Sequence, residues 1–158
     1  MPTASDVQTA DHGGNAGKAE QSDAITFTYS EAMDPDSILS GWTGSSANVV
    51  VHIDTSGSND PLTVYDSTNA TQLKLGSVAL GANYVIANRT FGATGTASTM
   101  VMSGSTITVT LGNPSGSTKN VGSAGTMVWT PSTAATDRAG NACSAATASE
   151  SGASDVEF

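Results

Sequence analysis

Ala24-Ile25-Thr26-Phe27-Thr28-Tyr29-Ser30 sets the period of this chain at two. Ile25, Phe27 and Tyr29 fall on one side of an extended backbone, and Thr26, Thr28 and Ser30 on the other. Successive strand side chains alternate between faces, so the pattern predicts a half-buried antiparallel strand with a polar outer face. Ser105-Thr106-Ile107-Thr108-Val109-Thr110-Leu111 repeats it, with Ile107, Val109 and Leu111 inward. Thr126-Met127-Val128-Trp129-Thr130 is a third instance, and Pro131, which has no N–H to give to a ladder, ends it. Asn48-Val49-Val50-Val51-His52-Ile53 is apolar on both faces for part of its length, as a central strand would be. Weaker strands are expected at residues 62–65, 72–75, 84–87 and 100–102.

Turn residues separate these segments: Gly13-Gly14, Ser56-Gly57-Ser58-Asn59-Asp60-Pro61, Gly112-Asn113-Pro114-Ser115-Gly116 and Ala139-Gly140-Asn141. Helical signal is confined to Asp34-Pro35-Asp36-Ser37-Ile38-Leu39, where an Asp cap followed by Pro suits a single turn. Eight or nine short strands at this spacing make a sandwich or a barrel. No internal repeat is present, which disfavours a solenoid or propeller. One domain is expected over residues 1–158, with loose ends at 1–3 and about 145–158.

Ser, Thr, Ala and Gly make up just over half of the 158 residues, and 14 acidic against 5 basic side chains leave a net charge of -9. Such a balance excludes a nucleic-acid partner, which needs a cationic footprint. No apolar run approaches the roughly 18 residues that span a bilayer, so no transmembrane segment is expected. Cys143 is alone, so neither an internal disulfide nor a cysteine-based zinc site can form. Small polar residues, few lysines and two sequons, Asn69-Ala70-Thr71 and Asn88-Arg89-Thr90, suit an exported, extracellular or cell-surface protein. Met1-Pro2-Thr3 is polar and does not read as a signal peptide, so the expectation is a mature domain.

Three stretches carry a resemblance. They are Asp23 to Asp34, a strand followed by Ser30-Glu31-Ala32-Met33-Asp34; then Ile38-Leu39-Ser40-Gly41-Trp42; and Asp137-Arg138-Ala139-Gly140-Asn141 near the C-terminus. Together they resemble bacterial immunoglobulin-like domains of exported surface-layer and adhesin-type proteins, over residues 5 to about 145. The resemblance implies an immunoglobulin-like antiparallel β-sandwich of about 8–9 strands with one short helical turn. It also implies a structural, spacer or adhesion role beside neighbouring domains of the same polypeptide or cell-surface partners. The chain exceeds the roughly 100 residues typical of that fold, and the excess is expected between residues 54 and 98, as a hairpin or long loops.

Glu31, Asp34 and Asp36 crowd three carboxylates into six residues at the end of a strand. Two readings stand. One is turn chemistry and helix capping, with Gly140 supplying a positive φ in the Asp137 turn. The other is a Ca²⁺ site, since calcium takes six to eight hard oxygens that loop ends can supply. Asp137 and Asn141 would complete it if their loop reached the same pole as Asp34. Trp42 likewise has two readings, a plug in the end of the fold or an exposed platform for a glycan or other ligand. A calcium-assisted binding module and a filament subunit joined by strand addition, through residues 5–10 or 151–158, are the alternatives to a structural role.

Catalytic equipment is sparse. His12 lies in a Gly-rich loop and His52 on a strand, and no Gly-x-Ser-x-Gly elbow or phosphate loop is present. Cys143 has no basic neighbour in sequence to hold a thiolate. Two Trp, three Tyr and three Phe are too few to build both a core and a sugar-lined cleft. The expectation is a protein that is not an enzyme.

Overall fold

The computed structural model describes all 158 residues. Its elements run β1 (Ala4–Ala10), β2 (Ala24–Tyr29), α1 (Pro35–Ile38), β3 (Ala47–Ile53), β4 (Pro61–Asp66) and β5 (Ser77–Ala79). They continue with β6 (Arg89–Phe91), β7 (Ser98–Ser103), β8 (Thr106–Thr110), β9 (Val128–Thr130) and β10 (Ala148–Ser149). Every strand pair is antiparallel. No helix is long and apolar enough to cross a membrane.

The alternating segments take the roles their period predicts. In β2 and β8, Ile25 sits opposite Val109 and Phe27 opposite Ile107, with all four buried. On the other face Thr26 opposes Thr108, their hydroxyls 3.2 Å apart. In β3, Val49, Val50 and Val51 are all buried, because the strand has β4 on one edge and both β7 and β6 on the other. Trp129 stands at the centre of the core, edge-on to Phe27 and Tyr29 with ring centroids 5.1 and 4.8 Å away. Its indole N–H donates to the Leu75 carbonyl at 2.7 Å, so the one polar atom of this buried ring is satisfied.

The ten strands belong to one sheet, ordered β1-β2-β8-β7-β3-β4-β5-β9-β10 with β6 attached to β3, and that sheet curls into a nearly closed barrel. The all-β antiparallel class is as expected, whereas the two separate layers of a sandwich are not seen. Curling needs corners. At one of them the edge of β3 passes from β7 to β6: Gly92, at φ 84°, lies so close to Ser98 that a Cβ would fall 2.1 Å from its amide nitrogen. There the buried Ser98 hydroxyl donates to the Phe91 carbonyl at 2.9 Å and accepts from the Gly112 N–H at 2.8 Å.

Residues 54–98 are not an appended hairpin. Their strands β4 and β5 form the wall joining β3 to β9. Residues 72–75 and 84–87 are irregular rather than strands, yet Leu73, Leu75, Tyr84 and Val85 reach the core from them. Short apolar runs mark burial, and a loop can supply that as well as a strand.

The C-terminal tail corrects the expectation of a loose end. It runs beside β1 and in the same direction. The Ser144 N–H donates to the Pro2 carbonyl at 2.9 Å. The Ser151 N–H reaches the Asp6 carboxylate at 2.8 Å. Thr9 meets Glu157 at 2.5 Å. Phe158 ends buried against Tyr84, ring centroids 5.6 Å apart. Its small residues let the tail lie close to the barrel, and Phe158 anchors it hydrophobically. The segments offered for strand addition therefore pair within the chain, residues 5–10 as β1 on β2 and residues 151–158 along the seam.

Candidate functional site

Two acidic regions lie at different places on the barrel. The first is the pole at the start of β1. There Met33 forms a bridge with Asp137, and the Asp34 N–H donates to the Thr136 carbonyl at 2.8 Å. The two motifs singled out in the sequence thus meet, as a calcium site made from both would require. Their side chains are engaged locally. Asp34 Oδ1 accepts from the Asp36 N–H at 3.2 Å and caps α1, while Asp36 Oδ1 accepts from the Gly41 N–H at 2.6 Å. Glu31 lies 3.5 Å from the Met1 amino group.

Asp137 is the most committed of the set. Oδ1 accepts from the Ala139 and Asn141 N–H groups, and Oδ2 from the Asn141 side-chain amide, all at 2.8 Å. These donors, the Asn141 side chain first, hold the Asp137 carboxyl below the usual aspartate range. Gly140, at φ 84°, lets the turn close around it. Asn141 is thus a partner of Asp137 here.

The surroundings of Trp42 decide between its two readings. The ring is only 6% exposed and belongs to the core, and its indole N–H donates to the Ser45 carbonyl at 2.6 Å. It plugs the pole and offers no stacking face to a glycan. The gly-flanked segment around it is short enough for Ile38 and Trp42 to fold onto the same patch of core.

The second acidic region lies on the seam between β1, β9 and the tail. Glu150, Asp155 and Glu157 each direct an oxygen to one place, and these oxygens lie within 4.8 Å of one another. No other three acidic, histidine or cysteine side chains converge in this way. Backbone pairing sets their positions. Glu150 and Met127 exchange two bonds, the Glu150 N–H to the Met127 carbonyl and the Met127 N–H to Glu150 Oε1, both at 3.1 Å. The Gly125 N–H donates to the Asp155 carbonyl at 2.7 Å. The Glu157 N–H donates to the Tyr84 hydroxyl at 2.7 Å, and Glu157 Oε2 accepts from Thr9.

Glu157 is 1% exposed, and its Oε1 is buried with no hydrogen-bond partner. Burial pushes its carboxyl up to about 8, with Glu150 and Asp155 adding to the rise and the Thr9 hydrogen bond opposing it. The same burial, with these acids nearby, raises the Tyr84 phenol. No lysine or arginine reaches the group, since the ion pairs are Met1 with Glu31 and Lys18 with Glu20.

Other buried acids of this protein are treated differently. Asp23 accepts three backbone N–H bonds, from His12, Gly13 and Glu20. Asp60 accepts from Ser56 and Val85, one on each oxygen. Both are turn-fixing carboxylates with their acceptors engaged. The seam was not singled out in the sequence because its acids are spread through a small-residue tail. Its signal was faint: Asp155 and Glu157 alternate just before an aromatic, with no basic residue after Arg138.

The chain matches no protein-family model, no curated protein and no solved structure. What the surface can do is therefore argued from its own groups. His52 stacks on Tyr65 at 4.1 Å and meets Asn69 at 2.5 Å, while His12 is exposed in its loop. Cys143 is buried, and burial pushes its thiol up, so it is a thiol rather than a thiolate near neutral pH. The largest groove, about 620 Å³, runs past Asp34, Asp36, Asp66 and Lys74 and is open to solvent.

Proposed function

We propose that the chain is a non-catalytic structural module, an immunoglobulin-like spacer or adhesive bead of an exported cell-surface or secreted protein. The observation that carries this reading is the path of the two terminal segments. The chain starts beside Glu31 and Ser144, at the Tyr29 end of β1. It finishes beside Gly17 and Thr9, at the other end of the same strand. Seven residue steps of extended chain lead from Pro2 to Thr9, roughly 23 Å at 3.3 Å per residue. Residues 2 and 158 are held at opposite ends of one strand, a placement that suits beads joined in series.

The mechanics follow from the same path. β1 and the tail lie side by side and run in one direction, so tension applied through the two ends slides one along the other. Bonds across the seam are then loaded together rather than opened one at a time. A filled core around Trp129, and imidazoles that lie apart from any activated nucleophile, also support a mechanical rather than a catalytic role.

Single-molecule stretching tests the proposal. Pulling tandem copies through residues 1 and 158 should give one all-or-none rupture. Pulling from residue 1 against a handle at Ser103→Cys, both at one pole, should peel the strands at a clearly lower force. Equal forces in the two geometries would reject the load-bearing reading.

A further inference from the structure

The geometry points to a Ca²⁺ site on the barrel seam, formed by Glu150, Asp155 and Glu157. This site is separate from the Glu31, Asp34, Asp36 and Asp137 pole, and it does not depend on the structural-module reading. Two independent observations support it. The first is convergence: three carboxylate oxygens lie within 4.8 Å of one another, about the reach of two Ca–O bonds of roughly 2.4 Å each. The second is a missing partner. Glu157 Oε1 is buried and accepts no hydrogen bond from any N–H or hydroxyl, with only the Glu150 carboxyl beside it, whereas the buried aspartates Asp23 and Asp60 have both oxygens engaged by backbone N–H groups.

Free acceptors remain on all three residues. Glu150 uses Oε1 for the Met127 N–H and leaves Oε2 open. Glu157 uses Oε2 for Thr9 and leaves Oε1 open. The Asp155 side chain accepts no hydrogen bond and is exposed, so the group opens to solvent and water can complete a coordination shell. No basic side chain reaches them, so their mutual repulsion is relieved either by a proton or by a cation. An all-oxygen donor set favours a hard cation over zinc. The irregular arrangement suits calcium, which accepts flexible geometry, better than magnesium, which demands a near-ideal octahedron.

Such an ion would tie three parts of the chain together: the tail through Asp155 and Glu157, β1 through the Thr9 bond to Glu157, and the approach to β9 through Glu150 and Met127. It would therefore act as a staple where the sheet fails to close by backbone pairing.

The test uses the whole chain, stripped with EDTA and then titrated with CaCl₂, with MgCl₂ in a parallel arm. Calorimetric binding and thermal melting are read together. The expected result is one saturable Ca²⁺ site of submillimolar affinity, as in extracellular modules, with a midpoint rise of about 3–6 °C at saturation. Asp155→Asn, on an exposed side chain that fixes no backbone, should weaken Ca²⁺ binding at least tenfold without lowering the midpoint in EDTA. Glu157→Gln should do the same to binding, and Asp36→Asn should leave it unchanged. Absence of binding at millimolar Ca²⁺ would overturn the site. So would unchanged binding in Asp155→Asn, loss of binding in Asp36→Asn, or Mg²⁺ binding as tightly as Ca²⁺.

Discussion

Glu31, Asp34, Asp36 and Asp137 at one pole, and Glu150, Asp155 and Glu157 on the seam, are both dense in negative charge, but they differ in what their oxygens do. At the pole, the carboxylates are close in sequence and hold local backbone: a helix cap, a Gly41 turn and the Asp137 turn. On the seam, they are brought together by the tail packing against β1 and β9, and each keeps an oxygen that no N–H or hydroxyl engages. Crowding along the chain is therefore a poor guide to convergence in space. A carboxylate near a turn finds N–H donors within a few residues, whereas one delivered by tertiary packing meets only what the fold places opposite it.

Each region also has an aromatic lid, and the largest effects should come from removing it. Trp42→Ala at the pole and Phe158→Ala on the seam should each cost about 3–5 kcal/mol in urea unfolding, the range for deleting a buried aromatic. The Phe158 result tests the tail directly. A loose tail would give almost no change, and a docked one the full loss. Deleting residues 150–158 should be at least as damaging as Phe158→Ala, because it also removes the Glu150 bonds to Met127.

Acid should separate the regions next. The Asp137 carboxyl is held below the ordinary aspartate value of 3.8, so its stabilisation is present above that value and is lost as pH falls through the depressed value. Stability of the parent protein and of Asp137→Asn, measured by urea unfolding from pH 7 to pH 2, should differ most near neutrality. The two curves should approach each other at the acid end. A constant gap would mean that the charge of Asp137 contributes nothing beyond its shape.

Smaller effects belong to the cap. Asp34→Ala removes the acceptor for the Asp36 N–H at the start of α1 and should cost about 1 kcal/mol. That cost should be the same in Ca²⁺ and in EDTA. A calcium-dependent cost would transfer the ion from the seam to the pole. Glu31→Gln should be smaller still, below about 0.5 kcal/mol, because its pairing with the Met1 amino group is exposed on both sides.

Much of the fold is legible in residue order because β2 and β8 alternate strictly and β3 carries a continuous apolar run. β2, β3 and β8 are marked by Ile25/Phe27/Tyr29, the 49–53 run and Ile107/Val109. The turn at α1 is marked by Asp34-Pro35. β5, β6 and β10 have three, three and two residues, too few for a period to show, and they exist because longer neighbours pair with them. β1, with its bulge between Ala4 and Asp6 and mostly small or polar residues, buries only Val7 fully. Of the site, Asp137 and Asn141 were readable as a turn because their partners lie within four residues. The seam acids were not, because Thr9 lies 148 residues from Glu157 along the chain.

By itself, then, the sequence determined an all-β antiparallel protein, with Thr-rich outer faces, a Trp129 core strand, one capped helical turn and a net charge of -9. Those properties depend on the preferences of neighbouring residues and on summed charge, which act locally or need no geometry. Only the tertiary structure decided that one sheet curls almost shut, that Trp42 is a plug, and that the tail closes the seam with three acids facing one another. Each of these depends on residues far apart in the chain being brought within bonding distance, and pairings of that kind leave almost no trace in residue order.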